Sequence, residues 1–82
     1  MNTRVAAISI IVEDPESVER LNAILHEAGE YIIGRMGVPY REKGISIIMV
    51  AINAPQDYTS EITGKIGRLS GVNVKTSYAN IK

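Results

Sequence analysis

The chain has no cysteine, which removes disulfides, thiolate metal ligands and thiol nucleophiles from its chemistry. That absence suits a cytoplasmic protein, and a cytoplasmic location is the expectation. There is one histidine, His26, on the flank of an apolar helical stripe, where a partly exposed surface histidine is the expected role. A metal centre or a catalytic constellation needs several ligands or proton carriers converging. With one histidine and scattered acids, neither can be assembled, so no enzyme activity, metal or cofactor is expected. A surplus of charge is missing as well: nine basic residues balance nine acidic ones. The broad positive field that nucleic acids or anionic membranes attract is therefore absent. The apolar run near the N-terminus is short and meets Glu13 and Asp14 too soon for a membrane-spanning helix.

What is present suits one compact domain. Of the 82 residues, 45% are hydrophobic and 22% charged, well outside the range of disordered segments. The length allows a single unit over residues 1–82 and no second one. A domain this small hides only about 60% of the surface of its unfolded chain. A partner that covers further apolar area would stabilise it.

Arg4 to Val12 is nearly all apolar and rich in isoleucine and valine, the pattern of a buried strand. Asp14 is a good helix cap and Pro15 fits the first helical position. Val18, Leu21, Ile24, Leu25 and Ala28 follow at helical spacing, with Glu16, Glu19, Arg20 and Glu27 on the other side. Gly29 offers a left-handed stop. Tyr31 to Met36 reads as a second strand, Gly37 to Gly44 as a connection, and Ile45 to Asn53 as a third strand. After Ala54-Pro55-Gln56-Asp57 comes a second helix with the stripe Tyr58, Ile62, Ile66 and Leu69 and an outer Glu61–Lys65 pair. Ser70-Gly71 ends it, and Val72, Val74, Thr76 and Tyr78 alternate with polar residues as a last strand.

The order is β-α-β-β-α-β, an α+β ferredoxin-like sandwich with a four-stranded antiparallel sheet and two helices on one face. Right-handed crossovers place the first and third strands at the centre. A half-covered sheet ought to be polar on its open side, yet both faces of the central strands are apolar. One parity of the first strand holds Ala6, Ile8, Ile10 and Val12, and the other Val5, Ala7, Ser9 and Ile11. The third strand sets Ile45, Ile47 and Met49 against Ile48, Val50 and Ile52. Exposed patches of this kind mark interaction sites. A homodimer or higher oligomer through the open sheet face or a sheet edge is expected, against the plainer reading of a few tolerated surface aliphatics.

Four local features bear on binding. Glu13 and Asp14 are neighbouring carboxylates, which capping by Asp14 explains more simply than acid/base work. Ile32 to Gly37 and Gly64 to Gly67 each contain a GxxG spacing like that of phosphate-clamping loops, but such a loop must join two helices, and neither stretch does. Nucleic-acid binding is therefore not favoured. Ser60, Gly64, Gly67 and Gly71 fall on the side of the second helix opposite its apolar stripe, either as a surface for a partner's backbone or as a tolerated weakness. Arg35 to Glu42, RMGVPYRE, combines glycine and proline punctuation with a guanidinium, a phenol and a carboxylate. Such a set suits a small anionic or zwitterionic ligand and equally an ordinary solvated loop.

The stretches IIVEDPESV, RMGVPYREKGISII and SEITGKIGRLSGVNVK together resemble the small stand-alone ACT-like proteins of the iron-only hydrogenase system regulator family. The resemblance spans nearly the whole chain. It implies an ACT-like fold, oligomer formation and a regulatory role through a small effector, without catalysis. Effectors of the wider ACT group sit near the loop after the first strand and against a neighbouring subunit, which points to Glu13 and Asp14. Arg35, Gly37, Pro39, Tyr40 and Glu42 match the family's own motif by position. Where amino-acid-binding ACT domains carry a glycine-bearing effector loop, this chain has Glu-Asp-Pro. Two functions follow as expectations: a homo-oligomeric regulatory module that senses a small molecule or docks on a partner protein, or a scaffold that binds proteins and no ligand.

Overall fold

The computed structural model describes residues 2–80, so residues 1 and 81–82, the ends of the expected domain, lie outside the described residues. Strand β1 (Arg4–Val12) leads into α1 (Val18–Glu27), β2 (Ile32–Tyr40), β3 (Ile45–Ala54), α2 (Gln56–Gly67) and β4 (Val72–Tyr78). The sheet order is β2-β3-β1-β4 and every pairing is antiparallel. The two strands that are apolar on both sides thus lie at the centre, as the crossover rule requires.

Burial along β1 alternates strictly. Ala6, Ile8, Ile10 and Val12 are buried, while Val5, Ala7, Ser9 and Ile11 are exposed. On the covered side these residues join Ile48, Val50, Ile52 and Ala54 of β3, Leu21 and Leu25 of α1, and Ile62 and Ile66 of α2 in one core. Each such side chain contributes about 1.5–3 kcal/mol when fully buried, so this single layer between helices and sheet carries the fold. The stripe on α2 is bounded differently from the expected one: Thr59 is buried, and Tyr58 is half-buried with its ring 4.7 Å from that of Tyr31.

Three local expectations are corrected. The second strand does not stop at Met36 but runs through Gly37, Val38 and Pro39 to Tyr40. Only Arg41 to Gly44 connects it to β3, with Gly44 in the left-handed region at φ 64°. Proline is accommodated because β2 is an edge strand, where a missing amide hydrogen need not break a ladder. Helix α1 is preceded by a 3-10 turn at Pro15–Ser17, for which Asp14 accepts from the Glu16 amide at 3.0 Å. At the other end, Gly29 is not left-handed. The chain tightens instead into a 3-10 turn, Gly29–Tyr31, in which the Tyr31 amide donates to the carbonyl of buried Ala28 at 2.9 Å.

The glycines of the second half are also placed differently from an outward ridge. A Cβ on Gly67 would lie 3.3 Å from Val74 Cγ1, so this glycine lets α2 approach β4. Gly71 lies beyond the helix at φ 66°, and a Cβ there would come within 2.7 Å of Asp14 Cβ. Gly64 has only the Arg68 guanidinium at 3.6 Å, an ordinary contact.

These placements separate the glycines by cost. Gly71→Ala adds left-handed strain to a backbone collision and should lower unfolding free energy by about 2–3 kcal/mol, whereas Gly64→Ala should raise it by about 0.5–1 kcal/mol; urea denaturation measures both. Burial, with Tyr31, Glu27, Glu30 and Glu61 nearby, holds the Tyr58 phenol above its ordinary 10.0. The folded state then binds this proton more tightly than the unfolded chain, so its stabilising contribution is complete below pH 10 and is lost as pH rises through the folded value. Denaturation curves at increasing alkaline pH should show a decline that Tyr58→Phe makes shallower.

Candidate functional site

Two regions of the molecule have the geometry to bind. The first is the open face of the sheet. Directly paired residues share a face, so the registers define its rows: Val38, Ile47, Ile11 and Asn73; then Met36, Met49, Ser9 and Lys75; then Gly34, Ala51, Ala7 and Ser77. Apolar side chains fill the β2-β3-β1 part and polar ones line β4. Met36 is 55% exposed, Met49 48% and Val38 44%. Beside the two methionines lies a shallow depression of about 300 Å³, floored by Ala7, Ser9, Gly34 and Ala51. A Cβ on Gly34 would meet no atom within 4 Å, so the missing side chain helps keep the depression open. Protruding methionines and a hollow are therefore neighbours on one patch.

The second region is the corner where the β1-α1 connection packs on the α2-β4 turn. The Glu13 amide donates to the Gly71 carbonyl at 2.7 Å, and the buried Ser17 hydroxyl donates to the Ser70 carbonyl at 2.6 Å. Asp14 is spent on its cap. Glu13 is exposed and borders a depression of about 450 Å³ shared with Gly67, Gly71, Asn73 and Val74. The absent side chain of Gly67 makes part of that space. The Ser17–Ser70 bond had no signal in the sequence, because serine at a helix start reads as a cap and its partner is 53 residues away.

The residues singled out in the sequence fall in separate places. Glu13 and Asp14 lie at this corner. Arg35, Gly37 and Pro39 share the helix-facing side of β2, and Arg35 donates to Asn22 Oδ1 of α1 at 3.0 Å. Tyr40 lies on the open side, and its hydroxyl donates to Glu42 Oε2 at 2.9 Å. The strand alternation that extends β2 thus puts the Arg35 guanidinium and the Tyr40 phenol on opposite faces. His26 is exposed. Among the described residues no group of three or more histidines and acids could hold a metal ion, and no helix is long and apolar enough to cross a membrane. The two GxxG stretches lie in β2 and α2.

Fold and surface together define a small ferredoxin-like domain with one sheet face open. The chain belongs to the TM1266-like family, described as "Iron-only hydrogenase system regulator, putative", whose model matches residues 4–76. It is similar to the uncharacterized protein TM1266 from Thermotoga maritima, with 36% identity over 96% of this chain and 100% of that one and a TM-score of 0.91. The fold is shared with CPII, a nitrogen regulatory PII-like protein from Thiomonas intermedia K12 bound to ADP, AMP and bicarbonate. There the TM-score is 0.59 and the identity 17%, over 98% of this chain and 100% of that one. A formyltetrahydrofolate deformylase from Pseudomonas putida KT2440 also contains it, with a TM-score of 0.68 and 12% identity over 95% of this chain and 30% of that one. No curated protein matches the chain.

Proposed function

We propose that this protein is a non-catalytic ACT-like regulatory module of the iron-only hydrogenase system that pairs with a second copy through its open sheet face and responds to a small effector or a partner protein. The observation that carries this is the apolar patch of β2, β3 and β1, left uncovered on a domain already short of buried surface. Met36, Met49, Val38 and Ile11 are each already about half covered, so completing their burial would add about 1 kcal/mol apiece. Protruding methionines and a hollow on one patch suit a two-fold pairing in which the methionines of one copy meet the Gly34 and Ala51 hollow of the other. The β2 edge favours the face as the contact. Strand β2 carries a bulge between Ile32 and Gly34, with Ile33 63% exposed, and Pro39 further on; both features blunt an edge against strand addition.

The corner depression is the proposed effector site. Glu13 supplies a free carboxylate there, Asp14 holds the loop closely against Gly71, and Gly67 borders the space. Tyr40 and Glu42 would border the paired faces, and Arg35, Gly37 and Pro39 shape the neighbouring strand. That CPII is bound to adenine nucleotides and bicarbonate makes nucleotides and amino acids the first compounds to try.

Sedimentation equilibrium should find dimers or larger assemblies, and Met36→Lys with Met49→Lys should give monomers of unchanged circular dichroism. Wild-type monomers at high concentration would contradict the pairing. An effector at about 100 times its dissociation constant should add about 2.7 kcal/mol to stability, an increment that Glu13→Gln should reduce. If thermal denaturation shifts with no metabolite, the protein is a scaffold instead.

A further inference from the structure

The outer surface between the two helices carries a second pattern. On α1, Arg20 is followed at the third and fourth positions by Ala23 and Ile24. Residues so spaced on α1 lie on one helical face. Across from them stand Lys65 in the last turn of α2 and Arg68 and Leu69 in the turn just beyond its end, and together they line one open groove of about 370 Å³. It continues into a depression of about 400 Å³ that shares Arg20, Arg68 and Leu69 and ends at Asp14 and Glu16. Three cations therefore stand along an apolar floor in a chain whose net charge is zero. Among the described residues only Lys65 has an ion pair, with Glu61 at 3.8 Å. Arg20 and Arg68 have neither an ion pair nor a side-chain hydrogen bond there.

We infer that this groove receives an acidic amphipathic helix of a partner protein, its apolar stripe on Ala23, Ile24 and Leu69 and its carboxylates on Arg20, Lys65 and Arg68. The inference rests on the reading of the chain as a binding module and names the chemistry of its partner. Charge complementarity selects the occupant, and the helix-in-groove mode supplies the geometry. A small ligand would normally have most of its surface enclosed, and this groove lies open between exposed arginines. A second copy offers no free amphipathic helix: the apolar stripes of its α1 and α2 are spent on its own core, and its open sheet face is apolar with Lys75. The Asp14 and Glu16 end favours the positive N-terminus of the incoming helix, which sets its direction.

The test uses two synthetic peptides of about 18 residues with one leucine stripe, flanked by glutamates in one and by lysines in the other, and inorganic phosphate alone. They are titrated into the isotope-labelled protein. The glutamate peptide should shift the amides of Ala23, Ile24 and Leu69 to saturation, the lysine peptide should not, and Arg20→Glu with Arg68→Glu should weaken binding at least about tenfold. Arg20→Gln with Arg68→Gln repeats the test should the charge reversal disturb folding. Equal response to both peptides, no shift at these amides, or unchanged affinity in the variants overturns the inference. Saturation by phosphate alone would make this a small-anion site, and shifts that depend on protein concentration without peptide would make it a contact between copies; either overturns it too. Sedimentation of the same variants should be unchanged, which separates this failure from failure of the pairing through the sheet.

Discussion

Water meets an unusually apolar sheet in this molecule. Helices α1 and α2 cover one side of β1 and β3, and among the described residues no element covers the aliphatic side chains of the opposite parity. The covered side has Ile8, Ile10, Val50 and Ile52 at its centre, enough to specify the fold. The open side has Ile11, Ile47, Met36 and Met49. Its polar residues are concentrated on β4 as Asn73, Lys75 and Ser77. The gradient across the sheet locates the uncovered area over β2, β3 and β1.

Around that layer the chain is closed by contacts between distant segments. The corner joining Glu13 and Asp14 to Ser70 and Gly71 ties the first connection of the fold to the last one. Its glycine is required twice, by the left-handed φ and by the closeness of Asp14. At the opposite end, Arg4 donates to the Ala79 carbonyl, Gln56 Oε1 and Asn80 Oδ1, and its guanidinium stacks 4.7 Å from the Tyr78 ring centre. Both ends of β1 and β4 are thus held, which leaves the open face and the helical surface as the parts available to partners.

Strand alternation made β1 and β3 legible from their sequence, because each residue's face follows from its parity once the sheet has a covered side. The Asp14 cap and the left-handed Gly71 were legible for a similar reason, since one residue type suits the backbone at each, although α1 itself begins only at Val18 and α2 ends at Gly67. The end of β2 was not, since Gly37-Val38-Pro39 looks like a turn unless the strand is known to lie at an edge. Gly29 misled because the chain leaves α1 through a 3-10 turn closed by the Tyr31 amide on the Ala28 carbonyl, which needs no left-handed residue. The candidate site was least legible. Adjacency in RMGVPYRE suggested one cluster, and the extended backbone distributed Arg35 and Tyr40 to opposite faces. The approach of Gly67 to Val74 and the Arg20–Arg68 groove depend on tertiary placement that no local pattern encodes.

The chain belongs to the TM1266-like family, and what distinguishes its surface is the open sheet face and the hollows beside it. The central claim is that the open face is covered by another copy of itself. Methyl NMR of Met36 and Met49 with a soluble paramagnetic probe tests it directly. Both methyls should be shielded from the probe at high protein concentration and become accessible on dilution; equal and full broadening of both at every concentration would contradict the account.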